Sequence, residues 1–429
     1  MVNAYTSKGG FLLIPDRLFD LAFQYRKSNL WKKLWDSQLF GVRLSDGEIG
    51  YCCVMGRMGE LNAVAVYIGQ KGLDSLRALH DSDLLLEVLE ESELRHRQDC
   101  VMLSFNNKSM LNPRDLDALT PYCRKHGLTP RGKNAYPQFE RFRMGYERWY
   151  LEDETDQRRM TEALEGVIEV ANRLTREMKT PQQLGFLEGG FYDREIPLLT
   201  KQGDGFQWER HALPPKTPET WPSIVIEDEL TQRRLDKAAR KGIWAFKLFR
   251  HIEPMTHQTG KDQIAFDELE EAPFYPWVMM IVDTRSSMVL GVFLSNDADD
   301  YAHPFADQLA EMLTRAGVPR KIIVLDARTK AALEWLCERF KIELQLKEKC
   351  AQLEDALDSM VDTFLGDHGE DLLDQLEAMT EMFRDPEVIA SLPDEVFLAL
   401  ISSNDPRAFP KELQDVLYRE GVRRGLFNR

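Results

Sequence analysis

The stretch WVMMIVDTRSSMVLGVFL, residues 277–294, carries the pattern that decides the fold. Trp277 to Asp283 is almost wholly apolar, as in a strand buried on both faces. Thr284 to Ser287 supplies a polar turn, and Met288 to Leu294 returns as a second apolar run. Upstream, Ile243 to Arg250 reads as another strand. Downstream, Phe305 to Ala316 is a helix that Gly317 ends. Lys321 to Asp326 is a strand, Thr329 to Phe340 a helix and Ile342 to Leu346 a last strand. The order ββαβαβ implies a mixed α/β domain over 243–349, because short helical crossovers return strands in parallel. Trp277–Asp283 and Lys321–Asp326 are expected side by side in its sheet.

The first part of the chain reads as an α+β domain over 1–151. An amphipathic helix over 15–35 presents Leu18, Leu21, Ala22 and Tyr25 on one side. Strand-like runs follow at Phe40 to Leu44, Ile49 to Met55 and Leu61 to Ile68, separated by Ser45-Asp46-Gly47 and by the Gly56 to Gly59 turn. Helices are expected at Leu73 to Leu79 and Leu84 to Leu94, with a strand at Cys100 to Phe105 between them and the next helix. That helix starts at Pro113 and stops at Gly127. The region 152–242 reads as a connection, with a long helix at Asp156 to Met178, a hairpin at Glu195 to Leu213 and prolines 214, 215, 218 and 222.

Residues 350–429 read as helical. Between 351 and 400 stand fourteen acids and one base, a net charge of −13, in a chain whose total is −16. Leu353, Leu357, Val361, Phe364 and Leu365 recur at helical spacing, so an amphipathic acidic region is expected instead of a disordered tail. The overall class is therefore α+β multidomain.

With 43% hydrophobic and 29% charged residues, the chain is neither disordered nor fibrous in composition. An excess of acids argues against a basic coat for nucleic acid or membrane along the whole chain, and leaves local patches open. Six cysteines without a C-x-x-C pair exclude zinc-ribbon and thioredoxin-like motifs, and imply reduced thiols. The start of the chain has an apolar stretch of only four residues before Pro15, and no apolar run approaches the length needed to cross a bilayer. A cytoplasmic location with no membrane partner is the expectation.

LWDSQLFGVRLSDGEIGYCCVMGRMGELNAVAVYIG, residues 34–69, resembles an N-terminal domain of unknown function found in bacterial proteins. Residues 131–151 and 273–294 resemble later parts of the same proteins. The resemblance implies a shared fold with paired domains and a bacterial origin. It implies no particular activity.

Two constellations could carry chemistry. Asp283 and Asp326 each end a strand, and Asp307 or Glu311 lies on the helix between. Three carboxylates at one sheet end would suit a two-metal site with Mg²⁺ or Mn²⁺ as cofactor. The element order is similar to ribonuclease-H-like nucleases, which place three antiparallel strands before the first helix. Ile243–Arg250 would have to supply the third. The competing role is structural: aspartate favours turns and helix caps. The second constellation spans Tyr122 to Trp149, where Arg124, Lys125, Arg131, Lys133, Arg141, Arg143 and Arg148 oppose Glu140 and Glu147, a net +5. Tyr136, Phe139, Phe142 and Tyr146 interleave, as suits single-stranded nucleic acid. Arg124, Arg131, Lys133, Arg141 and Arg143 are the candidate contacts. The expectation is a binding or interaction protein, with nucleic acid or protein as partner and an acidic regulatory C-terminal region. The alternative is a metal-dependent nucleic-acid-processing enzyme at Asp283, Asp326 and Glu311.

Overall fold

Neighbouring residues of one strand enter two different cores: Cys52 and Val54 face one apolar layer, Tyr51 and Cys53 the other. This period of two also explains why the adjacent thiols of Cys52 and Cys53 stay free. The computed structural model describes residues 13–57, 59, 61–81, 96–186, 191–192, 194–257, 266, 269–361, 419–420 and 423–424. The expected helix over 84–94 and residues 362–418 of the acidic region lie outside the described residues.

The first sheet contains β1 (Phe40–Arg43), β2 (Ile49–Met55), β3 (Asn62–Ile68), β4 (Cys100–Asn106), β5 (Tyr136–Phe142), β6 (Trp149–Tyr150), β7 (Glu195–Gln202) and β8 (Gly205–Ala212). Their order is β6-β5-β4-β3-β2-β1-β7-β8, antiparallel except for β1 with β7. The helices of this part are α1 (Asp16–Ser28), α2 (Gly69–His80), α3 (Pro113–His126) and α4 (Glu154–Thr175). α1 and α4 cover one face through Leu18, Leu21, Met160, Leu164 and Val167. α2 covers the other through Leu73 and Leu76. α4 comes so close to β1 that a Cβ on Gly166 would stand 2.4 Å from Val42 Cγ2.

The region 152–242 is more than a connection. It gives the first sheet α4 and the β7–β8 hairpin. A lone hairpin is marginal in water, and β7 escapes that by pairing its apolar Leu198 and Leu199 with Gly41 and Val42 of β1. The sequence does not mark β5 and β6 as strands, because Pro137, Gln138, Glu140 and Arg141 interrupt the apolar pattern of Tyr136 to Phe142 and β6 has only two residues.

After α5 (Glu229–Asp236), the second sheet holds β9 (Ile243–Arg250), β10 (Trp277–Asp283), β11 (Met288–Leu294), β12 (Lys321–Val324) and β13 (Glu343–Leu346), in the order β11-β10-β9-β12-β13. β9, β10 and β11 form an antiparallel meander, so Ile243–Arg250 does supply the third strand before the first helix. β10 and β12 share the sheet but are not side by side, because β9 lies between them. β11 already occupies the outer edge of β10, so the returning strand pairs in parallel with β9. α6 (Ala302–Ala316) and α7 (Ala327–Phe340) pack on one face. The chain is helical over 351–361, as expected, and its Leu353 and Leu357 cover the other face with Cys350.

The two sheets are joined ahead of β10. The Glu147 amide donates to the Pro273 carbonyl at 2.8 Å, and the Tyr275 amide donates to Gly145 at 2.9 Å. The Arg250 guanidinium donates to the carbonyls of Tyr275 and Ala298, at 2.7 and 2.8 Å. Gly145 (φ 84°) is the residue this junction requires, since a Cβ there would meet Arg250 at 2.7 Å.

Candidate anion-binding cleft

The acidic constellation is not assembled. Asp283 is level with Trp244 on β9, which is itself level with Ile322 of β12. Asp326 follows the far end of β12, beyond Val324, so the two carboxylates lie on the order of 10 Å or more apart along the strands. Each has the structural role that competed with catalysis. Asp283 Oδ1 accepts the amides of Arg285 and Ser286, at 2.8 and 3.2 Å, and shapes the β10–β11 turn. Asp326 caps α7, taking the Thr329 amide at 2.7 Å and the Thr329 hydroxyl at 2.9 Å. Burial tends to raise the Asp326 pKa, but the Lys247 charge and the Thr329 bonds outweigh it and hold the carboxyl below its usual range. Glu311 stands exposed on α6, 3.8 Å from Arg315. Among the described residues, no group of three or more His, Cys, Asp or Glu is placed to hold a metal ion.

The basic and aromatic stretch is divided. Arg141 is committed to Asp99 at 2.7 Å and Asp156 at 2.9 Å, beneath the sheet edge. Arg143 pairs with Asp299 at 2.6 Å and lies over the Tyr146 ring at 4.1 Å, at the junction with the second sheet. Tyr122 and Phe139 pack on Phe19, with ring centroids 5.0 and 5.7 Å away, and belong to the core. Arg124, Arg131 and Lys133 remain exposed.

Lys133 joins cations from elsewhere in the chain. A cleft of about 610 Å³ is lined by Arg26, Lys27, Lys32, Arg57 and Lys133, together with Phe23, Trp31 and three asparagines. Arg26 and Lys27 occupy the last turn of α1, where positive charge complements the helix dipole. Asn29 turns the chain in the left-handed region (φ 49°), and a 3₁₀ turn, Leu30–Lys32, then buries Trp31 and exposes Lys32. Arg57 comes from the β2–β3 turn and lies 3.9 Å over the Trp35 ring. The Lys133 loop is held by its neighbour: the Asn134 amide donates to Asn107 Oδ1 at 3.0 Å, and Arg26 Nε donates to the Asn134 carbonyl at 3.1 Å.

No carboxylate of a described residue pairs with Lys27, Lys32 or Lys133, and none of the described lining residues is acidic. Close cations without counter-ions raise the local potential and attract anions. Three lysines give compact charges for phosphate groups, and the asparagine amides add neutral donors. Of the cleft cations, sequence reading found Lys133 alone. The others arise from three separate segments, and Arg26-Lys27 reads simply as dipole compensation.

These features define an α+β protein of two mixed sheets with a cation-lined cleft on the first. Residues 16–186 match the family model of a domain of unknown function (DUF7309), and residues 231–361 match that of a second (DUF6930). The chain belongs to a family that pairs these two domains. No curated protein matches it. No helix among the described residues is long and apolar enough to cross a membrane.

Proposed function

We propose that this chain is a cytoplasmic binding protein that takes single-stranded nucleic acid in the cleft of its first sheet, with the acidic region 351–400 as a competing regulatory element. One observation carries the reading: Lys27, Lys32 and Lys133, which have no carboxylate partner among the described residues, line one cleft with Arg26 and Arg57, in a chain of net charge −16. Against so acidic a background, this convergence supports an anionic partner. The buried aromatics favour contact with the phosphate backbone over base stacking.

The alternative, a metal-dependent enzyme with a ribonuclease-H-like domain, has the strand order of the second sheet in its favour. The separation of Asp283 from Asp326, and the Lys247 ammonium beside Asp326, weigh against it.

The test is fluorescence anisotropy with a labelled oligo-dT over a salt series. Each phosphate contact on a single strand contributes about 0.7 to the slope of log K against log salt. Replacing Lys27, Lys32 and Lys133 by alanine together should therefore lower the slope by about 2. Asp367→Asn, Asp371→Asn and Asp374→Asn in the full chain should raise affinity at low salt. A parent that does not bind at low salt, or a lysine variant with an unchanged slope, would sink the proposal.

A further inference from the structure

Among the described residues the two sheets leave four edges, and three of them are blunted. β6 has two residues and β13 has four, the latter with Glu343 paired to Lys321 at 2.8 Å. β8 carries Glu209 and Arg210. Short or charged edges discourage pairing with other chains. β11 is different: seven residues, Met288 to Leu294, without a charge. Among the described residues no strand pairs with its outer side. Met288 is 61% exposed, Val289 44%, Val292 52% and Leu294 37%.

The exposed residues continue a buried layer. Leu294, Val292 and Val289 stand opposite Val278, Met280 and Val282 of β10, and so face the same side of the sheet. The register shift between Ile281 and Val282 keeps Val289 on that side. Val278, Met280 and Val282 are covered by Leu353 and Leu357, whereas their β11 neighbours stay open to solvent. The layer thus stops at β11 without having closed.

We propose that a second copy of this chain closes it, through antiparallel pairing of β11 with β11 about a two-fold axis at Gly291. Charge argues for self-pairing. Arg285 lies six residues before Gly291 and Asp297 six after it, and both are exposed. A two-fold centred on Gly291 carries each Arg285 toward the Asp297 of the other copy, twice per dimer. The strand itself carries no charged residue, so no like charges meet along it. The pairing makes one ten-stranded sheet with the 351–361 helix of each copy on the same face. A strand pair of this length is a small interface, so the association is reversible and in the micromolar range.

Sedimentation equilibrium of the full chain tests this. Across the micromolar range the mass should rise from 49.7 kDa toward twice that value. Val292→Lys, at an exposed site, should weaken dimerisation at least about tenfold with the melting temperature unchanged. Arg285→Asp should weaken it several-fold, and adding Asp297→Arg should restore it, which loss of folding could not do. A parent that stays at 49.7 kDa, including one that instead accepts a peptide strand from another protein, would overturn the proposal. So would a dimer that both Val292→Lys and Arg285→Asp leave intact.

Discussion

The ammonium of Lys247, on the central strand β9, stands 3.2 Å from the carboxylate of Asp326 at the start of α7. The Thr329 hydroxyl ties the same two elements, accepting from the Leu248 amide at 2.9 Å. A cation and a helix N-terminus together satisfy the acid that a metal site would have needed free.

Asp326→Ala should therefore behave as a structural lesion. It removes a helix cap, worth about 1 kcal/mol, and leaves a largely buried ammonium alone, for a total loss of about 3 kcal/mol. Because the Asp326 pKa is lowered in the fold, its contribution is present above about pH 4 and fades as pH falls through the folded value. Urea unfolding should show a shallower acid limb in the variant. If Mn²⁺ raises the melting temperature of the parent and not of the variant, Asp326 is a metal ligand and this account is wrong.

Asp115 points the other way in pH. It is buried against the polar side of β4 and β5, accepts from Gln138 Nε2 at 2.8 Å, and shares the site with Glu140. Burial first, and the Glu140 charge second, push its pKa up to about 7. The native state thus holds a proton that the unfolded chain releases near pH 4, so stability falls as pH rises from about 4 to 7. From pH 5 to 8 this group should cost on the order of 2 kcal/mol, and Asp115→Asn should remove that slope. Chemical denaturation of both proteins at pH 5 and pH 8 checks it; parallel losses in the two would refute the assignment.

Gly166 tests the packing of α4 on β1. In an exposed helix Gly→Ala gains up to about 1 kcal/mol. Here the new Cβ would stand 2.4 Å from Val42, so Gly166→Ala should destabilise by about 1–3 kcal/mol. Val42→Ala should recover much of that loss in the double variant. A stabilised single variant would mean that the helix can shift away from β1.

Arg141 and Lys133 separate folding from binding within one stretch of sequence. Arg141→Ala leaves Asp99 with Lys71 at 2.8 Å and Asp156 with Arg159 at 3.4 Å, and should cost about 1–2 kcal/mol, read as a lower denaturation midpoint. Lys133→Ala touches no ion pair and should leave that midpoint unchanged while weakening oligonucleotide binding at low salt. The reverse assignment, with Arg141 governing affinity in a stable protein, would move the interface from the cleft to the sheet edge.

Local pattern alone was enough for most elements. The strand-like run Ile49–Met55 between its turn signals, the pure apolar run Trp277–Asp283, and the Pro113 and Gly127 helix limits depend on neighbours within a few residues, and propensity and patterning act at that range. The paired domains were also legible, since the quoted segments carry enough of their own identity. What tertiary structure alone decided is which strands become neighbours and which charges meet. β9 separates β10 from β12, and so parts Asp283 from Asp326, because strand adjacency is a competition among edges distant in sequence. Arg141 and Lys133 look alike as letters, yet one is half-buried between two carboxylates and the other faces open solvent. The cleft itself gathers the end of α1, a 3₁₀ turn, a hairpin turn and the loop before β5. No window along the chain contains all four, because an electrostatic site is built by distance in space and its components are far apart in sequence.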